Sequence, residues 1–193
     1  MRVRYLGSIV CAASLVAGPA SARAATTERP DEELRALLVA AISRADSFED
    51  RFDAEVWLMD MSTRLSAVVP DPGERVEILR RVHQEATRAK LDPELVLAVI
   101  QVESNFDRFA ISSTGAQGLM QVMPFWLEEI GRPEDNLFHI RTNLRLGCTI
   151  LRHYLEKEKG HLSRALARYN GSTGQSWYPA RVFRALRTRW YRQ

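Results

Sequence analysis

This sequence of 193 residues has few of the residue types on which metal, redox and disulfide chemistry depends. It contains two cysteines, Cys11 and Cys148, and four histidines, at positions 83, 139, 153 and 161. The histidines show neither an HExxH pattern nor the paired spacing that zinc sites use. A glycine-rich phosphate loop is also missing. The sequence therefore predicts neither a metal ion nor another cofactor.

Long apolar runs are rare as well, and the main one lies near the start of the chain. Basic residues precede an apolar run at residues 6–17, and Ala22-Arg23-Ala24 has the small-x-small pattern of a cleavage site. This arrangement is typical of a secretory signal peptide, here at residues 1–24. The run is too short to span a membrane comfortably. Cleavage would leave Cys148 as the only cysteine, which excludes an internal disulfide.

Acidic residues are missing from the C-terminal part of the chain. No Asp or Glu follows Glu158, whereas arginines stand at positions 164, 168, 181, 184, 187, 189 and 192. A basic end of this kind can contact nucleic acid, anionic lipid or acidic peptides. The simpler interpretation is a solvated helix face that balances an acidic N-terminal half. Loss of Arg2, Arg4 and Arg23 with the signal peptide would bring the formal charge of +3 to about zero.

Apolar residues recur at helical spacing along the chain, and the alternation typical of a β-strand is not seen. The clearest example is residues 74–90, where one face carries Val76, Leu79, Val82 and Ala86. Similar patterns predict helices over residues 136–155, 162–169 and 179–190. The expected fold class is therefore all-α.

Residues 25–70 precede the main helical unit and predict a helical extension, with one helix at residues 31–45 and a second after it. The second carries an apolar stripe, with Trp57 beside it, made of Phe48, Phe52, Val56 and Met59. Two short helices bury little surface by themselves. We therefore expect the extension to pack on residues 71–193. The alternative is that it holds a partner, such as an envelope or secretion-machine protein.

The stretch from Asp92 to Pro124 carries the strongest chemical signal. Asp92 followed by Pro93 is typical of a helix start. Residues 95–102 are apolar almost all round, which indicates a buried helix, and Glu103 follows at its end. Burial and the negative end of the helix dipole both raise the pKa of a carboxyl there, as a general acid near neutral pH requires. An exposed Glu at a frayed helix end is the alternative.

The residues after this helix resemble a known family. Glu103-Ser104 is followed by Ser112, nine residues after the glutamate, and then by GAQGLMQVMP at residues 115–124. This resembles the signature of the soluble lytic transglycosylase (SLT-type) family, which is E-S-x-x-(N)-P, a serine at the same spacing, and G-A-x-G-L-M-Q-(I/V)-M-P. Spacing and residue type agree over most of the signature.

Two weaker matches and two departures complete the comparison. Residues 143–147 with Tyr154-Leu155 resemble the second family motif, N-(I/L)-x-x-G…Y-L, and residues 165–171 resemble the third, A-L-A-x-Y-N-A-G. Asp107-Arg108 stands where the family has Asn-Pro, and Gly171-Ser172 replaces Ala-Gly.

The resemblance implies a goose-lysozyme-like, SLT-type catalytic domain at residues 71–193 that cuts the glycan strands of peptidoglycan without a cofactor. It implies that Glu103 protonates the glycosidic oxygen. The same group, then a base, would take the proton from the muramoyl 6-hydroxyl, which attacks C1 and leaves a 1,6-anhydromuramoyl end. The substrate-binding residues that it implies are Ser112, Gln121, Met123, Tyr169 and Asn170.

Two other functions remain open. One is a hydrolysing lysozyme on the same fold, for which Asp107 is the candidate helper acid, because most glycosidases use two carboxylates. The other is a non-catalytic peptidoglycan-binding or scaffold protein. Together with the predicted signal peptide, the resemblance predicts a periplasmic protein that acts on peptidoglycan glycan strands. We expect no nucleic-acid partner and no stable membrane insertion.

Overall fold

The computed structural model describes residues 50–191, except for the side chain of Arg51. The helices in this range are α1 Arg51–Leu65, α2 Pro72–Arg88, α3 Pro93–Glu103, α4 Phe125–Ile130, α5 Ile140–Lys157, α6 Leu162–Tyr169 and α7 Trp177–Ala185, followed by a π-helix at Leu186–Trp190. This part of the chain has no β-strand, only isolated bridges within residues 111–122. The prediction of an all-α fold is confirmed. None of the described helices is long and apolar enough to cross a membrane.

The predicted helices agree with the structure in order and differ at some ends. α6 has the predicted bounds. α5 begins at Ile140 rather than at Asn136, because the Asn136 side chain accepts a hydrogen bond from the Phe138 backbone N–H at 2.8 Å and stabilises a turn. The predicted signal peptide at residues 1–24 and the predicted helix at residues 31–45 lie outside the described residues.

Helix α3 lies at the centre of the fold. Asp92 caps its start, since one carboxylate oxygen accepts hydrogen bonds from the backbone N–H groups of Glu94 at 2.8 Å and Leu95 at 3.4 Å. Every residue from Leu95 to Ile100 is buried, as the apolar pattern predicts. The helix packs against α2, α7 and the π-helix. Contacts on several sides fix the position of its last residue, Glu103.

Helix α1 packs through a face that the sequence pattern does not single out. Its buried apolar side chains are Ala54, Trp57, Leu58, Met61 and Leu65. Phe52, Val56 and Met59 are exposed, so these three residues of the predicted apolar stripe do not form the packed face. The fourth, Phe48, lies outside the described residues. Apolar residues cover two faces of this helix, and periodicity alone therefore cannot tell which one is buried.

Polar contacts also join α1 to the rest of the fold. Trp57 Nε1 donates a hydrogen bond to a Glu94 carboxylate oxygen at 2.8 Å. Arg64 and Arg189 each donate to the backbone carbonyl of the other, at 2.5 and 2.7 Å. For the described part of the predicted extension, these contacts agree with packing on the main unit. The domain boundary at residue 70 stays a prediction.

Replacing Leu58 with alanine should lower the free energy of unfolding by about 2–5 kcal/mol, because the change leaves a cavity in the core. The matched change Phe52→Ala, on the exposed face of the same helix, should alter it by less than about 0.5 kcal/mol. Urea denaturation followed by circular dichroism measures both values. Small effects from both changes would mean that α1 does not belong to the cooperative core.

Candidate active site

Glu103, at the end of α3, opens into a pocket of about 180 Å³ between the loop at residues 104–124 and the end of α6. The pocket is lined by Glu103, Ser112, Thr114, Ala116, Gln121, Met123, Tyr169 and Asn170. All six site residues expected from the sequence thus lie around one pocket, although they come from distant parts of the chain. Their roles stay predictions.

Burial raises the pKa of the Glu103 carboxyl from its ordinary value of 4.5 to about 7. Three neighbours oppose this rise because they stabilise the ionised form. The Tyr178 hydroxyl donates to Oε1 at 2.5 Å, the positive charge of Arg181 acts on the carboxyl, and the polar side chain of Asn170 lies close enough to favour the ionised form. Desolvation outweighs all three. The carboxyl is therefore poised to give or take a proton near neutral pH.

Tyr178 is a site residue that sequence reasoning missed. It belongs to α7, is fully buried, and lies outside the three family motifs found in the sequence. Tyr169, one of the substrate-binding residues that the resemblance implies, lines the pocket but donates its hydroxyl hydrogen bond to Met120 O at 2.7 Å. One signal could have found Tyr178: a tyrosine on the apolar side of an amphipathic helix needs a buried hydrogen-bond partner for its hydroxyl.

The loop that forms the pocket wall is supported from within by α5. The Asn143 amide nitrogen donates to the carbonyls of Gln117 and Leu137, and its oxygen accepts from Met120 N, each at 2.8 Å. At Gly147, an added Cβ would lie only 2.5 Å from Met120 Sδ, so a side chain there would push the loop outward. The asparagine and the glycine of the second motif thus support the wall without lining the pocket.

The polar groups of the wall are partly held by the protein itself. Gln121 Nε2 donates to Ala110 O at 3.2 Å and to Gly118 O at 3.0 Å. The Ser112 hydroxyl accepts from a backbone N–H at 3.0 Å and shares a hydrogen bond with Thr114 at 2.9 Å. These bonds orient the side chains before any ligand arrives. The Gln121 amide oxygen has no hydrogen-bond partner within the described residues and is a candidate acceptor for a ligand.

Asp107 lies outside this pocket. The chain leaves α3 through Asn105 and Phe106, which have φ values of 49° and 68°, so the helix does not continue to place Asp107 beside Glu103. The Asp107 carboxylate accepts a hydrogen bond from Phe109 N at 2.8 Å and is exposed. Among the described residues that line the pocket, Glu103 is the only acid. The described residues also contain no cluster of three metal-binding side chains.

A comparison with known protein families identifies the family of this chain. The profile described as "Transglycosylase SLT domain" matches residues 81–188, which are 108 of the 193 residues. The chain belongs to the SLT transglycosylase family. The resemblance read from the motifs around Glu103 is thereby confirmed, and the helical SLT domain contains every residue that lines the pocket.

Two proteins with related sequences come from a phage and a bacterium. A "Transglycosylase" of Enterobacteria phage PRD1 is 36% identical over 103 residues, which are 50% of this chain and 38% of that protein. "Membrane-bound lytic murein transglycosylase F" of Desulfosudis oleivorans is 37% identical over 95 residues, 46% of this chain and 20% of that protein. The chain thus spans well under half the length of these relatives.

A solved structure also resembles the chain. The lytic transglycosylase Slt of Pseudomonas aeruginosa is 24% identical, with a TM-score of 0.46 over 73% of this chain and 30% of that one.

Glu103→Gln should make the protein more stable at high pH and leave its stability unchanged at low pH. The folded-state pKa of about 7 lies above the ordinary 4.5, so wild type loses stability as the pH rises between these two values. At about pH 8 the variant should be more stable by roughly 3 kcal/mol, and at about pH 4 it should equal wild type. Urea denaturation at both pH values measures this. A gain that did not depend on pH would contradict the shifted titration.

Tyr178→Phe should raise the pKa of Glu103 further, because it removes a hydrogen bond that favours the ionised carboxyl. Carbon-13 NMR titration of the labelled Glu103 carboxyl measures the midpoint directly. Tyr169→Phe is the matched control, since that hydroxyl donates to Met120 O, and it should leave the midpoint unchanged. A midpoint that stays in place in Tyr178→Phe would show that the hydrogen bond does not tune the acid.

Proposed function

We propose that this protein is a peptidoglycan lytic transglycosylase. It would cleave the β-1,4 bond between N-acetylmuramic acid and N-acetylglucosamine and leave a 1,6-anhydromuramoyl end. One observation carries this proposal: the pocket has a single carboxyl, and its pKa is near neutrality. Glu103 is the only carboxyl among the described pocket residues, and burial raises its pKa to about 7. One carboxyl must then serve both as acid and as base.

The first step uses the protonated form of Glu103. The carboxyl donates its proton to the glycosidic oxygen, the bond from this oxygen to the muramoyl C1 breaks, and positive charge develops at C1. The new carboxylate is stabilised by the hydrogen bond from Tyr178, by the polar side chain of Asn170 and by the charge of Arg181. Preorganised donors of this kind need no rearrangement during the reaction.

The second step uses the ionised form. The carboxylate of Glu103 removes the proton from the muramoyl 6-hydroxyl, and the oxygen forms a bond to C1. This step closes the anhydro ring and returns the proton to Glu103, so no water is consumed. A group with a pKa near 7 suits both transfers, because neither protonation state is strongly favoured at neutral pH.

The remaining pocket residues have roles suited to a sugar chain. Ser112, Gln121 and Asn170 would form hydrogen bonds with hydroxyl and N-acetyl groups, while Met123 and Tyr169 would contact the apolar faces of the rings.

A hydrolysing lysozyme is less well supported. Water-dependent glycosidases position a second carboxylate opposite the acid, and the candidate helper, Asp107, is exposed and bonded to Phe109 N outside the pocket. A binding protein without turnover would not need an acid whose pKa is raised to about 7.

We also propose that the protein acts in the periplasm. The predicted signal peptide supports this location, and so do relatives named membrane-bound lytic murein transglycosylases. The exposed side chains of Phe52, Val56 and Met59 on α1 support the second expectation for residues 25–70, a contact with an envelope or secretion-machine protein.

Mass spectrometry of muropeptides released from purified sacculi tests the reaction. Wild type should release products lighter by one water than the reducing muropeptides, and Glu103→Gln should release none. Asp107→Asn is the matched control, and it should keep the anhydro products. Reducing products from wild type would indicate a lysozyme, and a wild-type protein that binds sacculi without releasing products would indicate a binding role.

A further inference from the structure

Helix α7 and the π-helix after it carry a row of exposed arginines. Arg181, Arg184 and Arg187 follow one another at three-residue spacing, close to one helical turn, and all three are exposed. The opposite side of the same segment carries the buried side chains of Tyr178 and Val182. We call Arg181, Arg184 and Arg187 the arginine face.

The arginine face has no acidic counterpart in the described part of the chain. None of its members forms an ion pair there, whereas carboxylates pair with Arg64, Arg88, Arg108, Arg145, Arg152, Arg164 and Arg168. The sequence supplies no acidic residue after Glu158. Three neighbouring positive charges repel one another and raise the local concentration of anions. The face is therefore suited to an anionic ligand.

The arginine face begins one helical turn after the residue that bonds the catalytic acid. Tyr178, one turn before Arg181, donates a hydrogen bond to Glu103, and the charge of Arg181 lowers the pKa values of both Glu103 and Tyr178. Arg184 continues the face along α7, and Arg187 continues it into the π-helix. The first member of the face therefore lies close enough to the catalytic acid for its charge to act on the carboxyl.

We propose that the arginine face binds the carboxylates of the stem peptides of peptidoglycan. The inference rests on the proposed function, because it takes the same substrate and adds a second site of recognition. The stem peptide starts on the muramic acid whose C1 would react beside Glu103, so it must leave the pocket close to the catalytic acid. Carboxylates along the stem match guanidinium groups, which bind them in a bidentate manner.

The position of the face favours a stem peptide over a lipid headgroup or a nucleic acid. A membrane surface or a duplex would contact these arginines without using the pocket, whereas a stem peptide must lie near both. The contact should strengthen binding of the substrate rather than speed the chemical step, because Arg184 and Arg187 lie one and two turns beyond Arg181, the member whose charge reaches Glu103.

The test compares two soluble ligands: uncross-linked glycan strands that carry stem peptides, and the same strands after an amidase has removed the peptides. The protein is the full chain with Glu103→Gln, so that no strand is cut during the measurement. We expect the stem-bearing strands to bind at least about fivefold more tightly, as two charge-assisted contacts allow. Arg184→Gln combined with Arg187→Gln should abolish most of this preference and leave the affinity for bare strands unchanged.

The matched control removes the same charge elsewhere. Arg141→Gln combined with Lys157→Gln changes two exposed residues of α5 and should keep the full preference. An equal loss of affinity for both strands in the Arg184 and Arg187 variant would overturn the proposal, since the arginines would then contact the glycan or support the fold. An unchanged preference would overturn it too.

Two further measurements separate the remaining outcomes. If the same double variant lost binding to phosphatidylglycerol vesicles or to a DNA duplex while keeping its preference for stems, the face would serve that ligand and the proposal would be wrong. Muropeptide analysis with the native Glu103 tests the reaction independently. Anhydro products from a protein without a stem preference would refute only the role of the arginine face, and a stem preference without anhydro products would refute only the reaction.

Discussion

The loss of water around the Glu103 carboxyl dominates the electrostatics of the site, and the surrounding packing maintains it. Desolvation disfavours the charged form, and the hydrogen bond from Tyr178, the contact with Asn170 and the charge of Arg181 favour it. Desolvation outweighs these three contacts, and the pKa comes to about 7. A drier site would hold the proton too firmly, and a wetter one would release it at neutral pH.

The fold keeps this balance by fixing the two elements that face each other across the carboxyl. α3 brings Glu103 from one side and is enclosed by α2, α7 and the π-helix. α7 brings Tyr178 from the other side. The pocket wall is fixed separately, because Asn143 bonds three backbone groups of the surrounding loops. Buried support of this kind gives a polar site a defined geometry before the substrate binds.

The surface around the site is divided by charge and polarity. Seven described arginines form ion pairs, Arg168 with Glu158 among them, whereas the three arginines of the arginine face form none with the described residues. α1 adds an exposed apolar stripe away from its packed side. Packing alone does not require either feature, since burying α1 uses its other face. The arginine face and the apolar stripe are therefore available for contacts with ligands and partners, as proposed above.

The local features of this protein could be predicted from its sequence. They are the capped start of α3, the burial of the residues from Leu95 to Ile100, the position of Glu103 at the helix end and the family motifs that follow it. Propensity, capping and periodicity act over a few residues, and a sequence displays them directly. Two other features became apparent only once the chain was folded: which face of α1 is buried, and which tyrosine donates to the acid, namely Tyr178 and not Tyr169. Both depend on contacts between distant segments: the Trp57 ring meets Glu94, and Tyr178 meets Glu103. No local pattern encodes such pairings, because the free energy that selects them arises only when the segments pack together.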